Sequence, residues 1–135
     1  MLRYTYNKEQ RECSGLALVW VFLGGFVGAV ARFEAGQWIG QRTIGPFPWG
    51  TFSINTVGSL FIGLLFARPL APPLLNLLDV GFTGAFTTFS TFSYETLRLM
   101  EEKLYRTAFL NAAVSLATGL GAVALGISIG RGMGI

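Results

Sequence analysis

Charge is scarce along this chain, and four long stretches hold almost none of it. Cys13 to Ala31 runs 19 residues without a charged side chain, Thr43 to Ala67 runs 25, and Thr107 to Gly130 runs 24. Pro69 to Tyr94 runs 26 residues with a single charge, Asp79. A helix needs about 20 apolar residues to cross a hydrocarbon core ~30 Å thick. The pattern therefore predicts four spanning helices, over residues 16–31, 49–66, 74–97 and 108–129. Glycine and proline gather in Glu34–Pro48 and Arg68–Pro73, which read as connections. Arg98, Glu101, Glu102, Lys103 and Arg106 mark a solvated turn between the last two spans. Residues 1–15 read as a polar N-terminal tail, leaving 16–135 as one four-helix transmembrane domain.

Composition strengthens this reading. Of 135 residues, 52% are hydrophobic and 13% charged, about half the ~25% charged share of a soluble domain. Mean hydropathy is +0.54. A soluble chain this short needs charge to cover its surface, so the composition argues against an ordinary soluble domain and excludes a disordered chain. Arg3, Lys8 and Arg11 ahead of an apolar stretch ending in Ala29-Val30-Ala31 also fit a cleaved leader. The few charges in the rest of the chain oppose that alternative. With no histidine and one cysteine, Cys13, there is no imidazole chemistry and no intrachain disulfide. No nucleophile–base pair is visible, so an enzyme is not expected. The net charge of +3 comes from scattered cations without interleaved aromatics, which argues against nucleic acid as a partner.

Four spans place both termini on one side. That face carries Arg3, Lys8, Arg11, Arg68 and Arg131; the other carries Arg32, Arg42, Arg98, Lys103 and Arg106. Orientation follows Lys/Arg imbalance, and here there is none. The balance points to dual topology, with the chain inserting both ways and pairing antiparallel with itself. Four helices also leave little room for an internal pathway, which independently favours a homo-oligomer. Gly24-x-x-x-Gly28, Ser59-x-x-x-Gly63 and Gly126-x-x-x-Gly130 are spacings that let helices approach closely in lipid.

Polarity is concentrated where it is least expected. Thr87-Thr88-Phe89-Ser90-Thr91-Phe92-Ser93 puts five hydroxyls into seven residues near the middle of the third span. Following Gly81 and Gly84, this cluster suggests a helix broken mid-membrane. Irregular backbone survives at that depth only inside protein or along a wet cavity, and its freed carbonyls suit a hard cation such as Na⁺. Thr51 and Asn55 share one face of the second helix; Asn111, Ser115, Thr118 and Gly119 share one face of the fourth. Arg32 closes the first span, and Glu95 shares the face of Phe92. Three polar stripes on three helices converge on a hydrated path. Its amides, hydroxyls and arginine are donors, which favour an anion. Asp79 and Glu95 are too few for a cation channel built on acidic rings. Phe89 and Phe92, three residues apart, can turn electropositive edges to an anion.

Three segments together resemble the Fluc/CrcB family of fluoride ion channels. They are Gly24-Gly25-Phe26-Val27-Gly28-Ala29-Val30-Ala31-Arg32, Gly50-Thr51-Phe52-Ser53-Ile54-Asn55-Thr56-Val57-Gly58-Ser59, and the run from Gly81 through Thr87-Thr88-Phe89-Ser90-Thr91-Phe92 to Glu95. The resemblance covers about Leu16 to Ile129. It implies an antiparallel dual-topology homodimer of four-helix subunits, with two pores built from both subunits. It implies passive, fluoride-selective export that protects the cytosol, in a multi-pass protein of the inner or plasma membrane. Phe89 and Phe92 match the aromatic pair that contacts fluoride, and Asn55 the amide donor beside them. Ser90, Thr91 and Ser115 match hydroxyls of the ion track, with Thr51 a polar neighbour. Arg32 and Glu95 match the family's arginine and acidic residue. The backbone carbonyls of Gly84 and Thr87, two from each subunit, match a structural Na⁺ site at the dimer interface. Ala85 and Asn111 depart from the pattern, the latter standing where tyrosine or another hydroxyl is expected. The residues leave two other classes open: a small dual-topology, proton-coupled multidrug exporter with Glu95 as its carboxylate, and a non-transporting assembly subunit, for which the hydroxyl cluster would have no purpose.

Overall fold

The computed structural model describes residues 2–68 and 70–132, with side chains described from Gly15 onward. All regular structure among them is helical. α1 covers Leu2–Gly40 and α2 covers Trp49–Phe66. A third helical run opens with one turn, α3 (Pro72–Leu75), continues as a π-helical segment (Asn76–Thr83), and closes with α4 (Gly84–Phe86). α5 (Phe89–Glu101) and α6 (Tyr105–Gly132) complete the chain. The expected tail, residues 1–15, falls almost wholly on positions whose side chains are outside the described set.

Among the described residues three helices, not the four expected, are long and apolar enough to cross a membrane: Gly15–Gly40 within α1, α2, and α6. The span expected over 74–97 is divided among α3, the π-helical segment, α4 and α5. α2 has the boundaries expected from the sequence. α1 does not end at Ala31 but continues nine residues further, so the connection expected over Glu34–Pro48 shrinks to residues 41–48. Arg32 and Glu34 therefore lie inside a helix. A charge marks where apolar surroundings can end, but the backbone keeps its hydrogen bonds by staying helical. Gly45, at a φ of 112°, makes the turn that follows. Phe47, Trp49 and Phe52 then cluster with ring centroids 4.6 to 5.9 Å apart, fixing the entry to α2.

The molecule is apolar outside and mixed inside. Among the described residues the buried hydrophobic ones are Ile54, Leu65, Leu99 and Ala108, whereas Phe22, Phe26, Phe66, Phe109, Leu116 and Leu120 are all more than 60% exposed. Thr83 and Asn111, among the least exposed side chains, are polar. In water this arrangement would be an extended aggregation surface. In lipid it is what a membrane protein requires, because there polar groups need internal partners.

Small residues hold the helices together. A Cβ on Gly24 would strike the Leu77 carbonyl, and one on Gly28 the Phe82 carbonyl, so α1 lies directly on the π-helical segment. Gly63 and Gly126 likewise bring α2 and α6 backbone to backbone, and Gly130 packs on Ala67. The small-residue spacings read from the sequence thus mark these two helix pairs. Lipid tails are as apolar as leucine, so close van der Waals contact rather than apolar burial selects these pairs.

Candidate functional site

The site is organised around Thr87 and Thr88, where helical geometry stops. Thr87 has φ −80° and ψ 159°, and Thr88 φ −150° and ψ 120°. The Thr87 N–H still reaches the Thr83 carbonyl at 3.0 Å. The Thr88 N–H, which a continuous helix would give to the Gly84 carbonyl, goes instead to Asn55 Oδ1 at 2.8 Å. Asn55 Nδ2 in turn donates to the Thr88 carbonyl at 2.9 Å. One amide from α2 therefore satisfies both backbone groups of Thr88. The Thr88 hydroxyl caps the helix that restarts, accepting the Thr91 N–H at 3.2 Å. Upstream, Thr83 Oγ1 donates to the Leu78 carbonyl at 2.7 Å and Thr87 Oγ1 to the Thr83 carbonyl at 3.0 Å. These bonds satisfy the wider π-helical turn from within. Gly58 leaves room for the Thr87 methyl, which a Cβ there would strike.

Two clefts meet at this clamp. The wider, about 560 Å³, is lined by Arg32, Thr51, Thr88, Thr91, Glu95 and Arg98, with Phe47 and Trp49 among its further walls. Within it, Thr51 Oγ1 donates to Glu95 Oε1 at 2.9 Å, and Glu95 Oε2 is buried without a hydrogen-bond partner. Arg32 Nη1 approaches the Thr87 carbonyl at 3.4 Å. The narrower cleft, about 490 Å³, is lined by Asn55, Ser59, Thr88, Phe89, Phe92 and Ser115, among others. The Phe89 and Phe92 rings stand 5.8 Å apart at 39°. Thr88 and its neighbourhood separate the two clefts.

The sequence candidates divide accordingly. Phe89, Phe92, Asn55 and Ser115 come together in the narrower cleft; Arg32, Thr51, Thr91 and Glu95 come together in the wider one. Ser90 lines neither and rests with its hydroxyl 3.3 Å from Thr88 Oγ1. Three residues carry more of the site than the sequence assigned them. Thr88 was one hydroxyl of a cluster, and the local run holds no sign that its backbone is the part that matters. Ser59 was read only as a packing residue, although it is the next helical-face position after Asn55. Thr96 went unassigned. It follows Phe92 by four residues, and that spacing was the available signal.

Gly84 and Thr87 offer two neutral carbonyls for the expected Na⁺ site, although the Thr87 carbonyl also receives the Arg32 guanidinium at 3.4 Å. Gly84 is exposed, and its carbonyl has lost the Thr88 donor. The Thr87 carbonyl is turned out of the helix by an extended backbone. No group of three Asp, Glu, His or Cys among the described residues could hold a metal. Neutral carbonyl oxygens suit a hard ion. One chain supplies two of them.

Hydrogen-bond donors and two aromatic rings line these clefts, and the chain is similar to known proteins. Residues 19–127 match the family described as CrcB-like protein, Camphor Resistance (CrcB). The fluoride-specific ion channel FluC of Acidobacterium capsulatum is 45% identical over 118 residues, covering 84% of this chain and 94% of the relative. FluC 1 of Symbiobacterium thermophilum is 46% identical over 121 residues, 84% and 98% of the two chains. FluC of Magnetococcus marinus is 44% identical over 125 residues, 86% and 98%. With four-fifths of its length in register with this family, and the clamp, aromatic pair and interruption all inside the matched span, the chain belongs to the CrcB-like family.

Proposed function

We propose that this chain is the subunit of a fluoride-selective passive ion channel. The observation that carries the reading is the placement of Phe89, Phe92, Asn55 and Ser115 around one cleft in a molecule whose outside is apolar. The curated relatives bear the matching name. Fluoride is strongly hydrated, so entry needs donors that replace water, and exit needs each of them to be modest. The Asn55 amide has two N–H groups. One holds the Thr88 carbonyl, and the other is the donor proposed for the ion. Ser115 and the ring edges add weaker contacts in the same cleft, from α6 and α5 respectively, and Thr51 and Thr91 continue the donors into the wider cleft. Ser90 reaches the path only through a second subunit. Nothing in this set binds an ion covalently, and conduction through it needs no coupled proton.

The functional unit in this reading is an antiparallel dual-topology homodimer with two pores, the interruption at Thr87 and Thr88 lying near mid-membrane. Its setting is a cell membrane, inner or plasma, with fluoride leaving the cytosol. The Gly84 and Thr87 carbonyls of both subunits hold Na⁺ at the interface. A cation held by those carbonyls would supply positive potential to the neighbouring residues of the path.

Purified protein in fluoride-loaded liposomes, triggered with a potassium ionophore, should release fluoride rapidly, while chloride-loaded vesicles stay intact. Glu95→Gln should release it at nearly the same rate, because the Gln carbonyl can accept the Thr51 hydroxyl as Glu95 Oε1 does. A proton-coupled exporter would instead lose transport with that carboxylate, and efflux abolished by Glu95→Gln would favour it. Prolonged exchange into a buffer holding only a large organic cation should slow fluoride release and readdition of Na⁺ restore it. Indifference to that exchange would dismiss the carbonyl site.

A further inference from the structure

Asn111 is 1% exposed and belongs to neither cleft, yet it sits in a directed chain of hydrogen bonds that ends at the aromatic pair. Ser115 Oγ donates to Asn111 Oδ1 at 3.5 Å. Asn111 Nδ2 donates to Thr96 Oγ1 at 2.8 Å. Thr96 Oγ1 donates to the Phe92 carbonyl at 2.8 Å. Ser115 and Phe92 line opposite walls of the narrower cleft, one on α6 and the other on α5. The chain of bonds therefore runs behind the cleft from one wall to the other.

We propose that Asn111 is a positioning residue: through Thr96 it fixes the depth and rotation of α5 against α6, and so the distance between the Phe92 ring and the Ser115 hydroxyl. This rests on the fluoride-channel reading of that cleft. The physical argument is one of direction. Leu99 is the one buried residue of α5 among those described, and apolar contact in lipid lets a helix slide or turn at little cost. A hydrogen bond between two side chains of fixed reach does not. The buried amide has no water to turn to, so leaving Thr96 would strand it. The Thr96 hydroxyl already bonds its own helix, and that bond aims its lone pair at α6. Ser115 gains a second property. Its long bond to Asn111 is weak, so its proton can swing toward an anion in the cleft and return when the anion leaves.

Four variants test the proposal in the liposome assay: Thr96→Val, Asn111→Leu, their double, and Thr96→Ser. Each valine or leucine variant should lower fluoride efflux by roughly threefold to tenfold, the range expected of one interhelical hydrogen bond in a membrane. The double should be no slower than the slower single, because both remove the same bond. Thr96→Ser keeps the hydroxyl and should stay near the parent rate. If Asn111→Leu does not elute as the parent does, Asn111→Ser, too short to reach Thr96, takes its place. Independently of flux, a 4-fluorophenylalanine label at position 92, read by ¹⁹F NMR in chloride buffer, should shift alike in Thr96→Val and Asn111→Leu and not in Thr96→Ser. Losses that multiply in the double, or a label that does not move, would overturn the proposal. If the parent conducts no fluoride at all, the channel reading fails, and the ¹⁹F shifts alone decide whether Asn111 positions Phe92.

Discussion

Asn55→Leu should remove fluoride efflux and weaken the fold together. In the parent, one amide pairs with the N–H and the carbonyl of Thr88, at 2.8 and 2.9 Å. Leucine fills the same volume and pairs with neither. A fully buried backbone group left without a partner costs about 1–3 kcal/mol. Thr88 is half-buried and lines both clefts, so water recovers part of that cost and the two losses together weaken the fold by less than that sum. The Thr88 amide should then exchange with solvent hydrogen far faster than in the parent. A lost fold would by itself stop conduction, so Asn55→Asp separates the two effects. The carboxylate still accepts the Thr88 N–H, but it cannot donate to the carbonyl or to an anion. It also places a negative charge on the wall of the narrower cleft. Two like charges about 4 Å apart repel by about 4 kcal/mol at an effective dielectric of ~20, close to a thousandfold in rate. Asn55→Asp should therefore elute as the parent does and conduct at least about a hundredfold more slowly. Efflux within twofold of the parent in either variant would remove Asn55 from the pathway.

Phe92→Ile should suppress fluoride efflux by roughly twofold to tenfold while leaving assembly intact. The ring is half-buried and lines the narrower cleft beside Phe89. Isoleucine keeps an apolar surface toward lipid and protein but has no electropositive edge. Contacts of this quadrupolar kind are worth about 0.5–1.5 kcal/mol each, and Phe89 cannot replace the lost one, because its own position is set against the Phe92 ring. The variant should keep the parent's elution volume and thermal midpoint. Unchanged efflux would mean that the rings pack the cleft and do not meet the ion.

The two variants expose different depths of the sequence record. Phe92 was legible because its spacing from Phe89 and the hydroxyls around both are local features of one helix. Asn55 was legible as a polar residue inside a span, but its bond to Thr88 was not, since 33 residues separate the pair. The same holds for Asn111. The sequence marks it as polar on the Ser115 face, and only the packing of α5 on α6 gives it Thr96 as a partner. The first helix shows the opposite error. Charge at Arg32 and Glu34 was read as a helix end, whereas α1 continues to Gly40.

Taken by itself, the sequence determined the apolar character of the long segments, the family, and which polar side chains lie within those segments; it did not determine that the third of four expected spans is divided into short helical pieces. Those properties follow from composition and from periods of a few residues, and hydrocarbon enforces them strictly because it offers no hydrogen bonds. Tertiary structure decided which polar groups face one another. It divided the candidates between two clefts, gave the backbone of Thr88 to Asn55, and ran the Ser115–Asn111–Thr96 bonds behind the aromatic pair. A side chain's hydrogen-bond capacity is written in its chemistry. Its partner is set by the glycine contacts that bring α1 onto the π-helical segment and α2 onto α6, and those contacts join residues far apart along the chain.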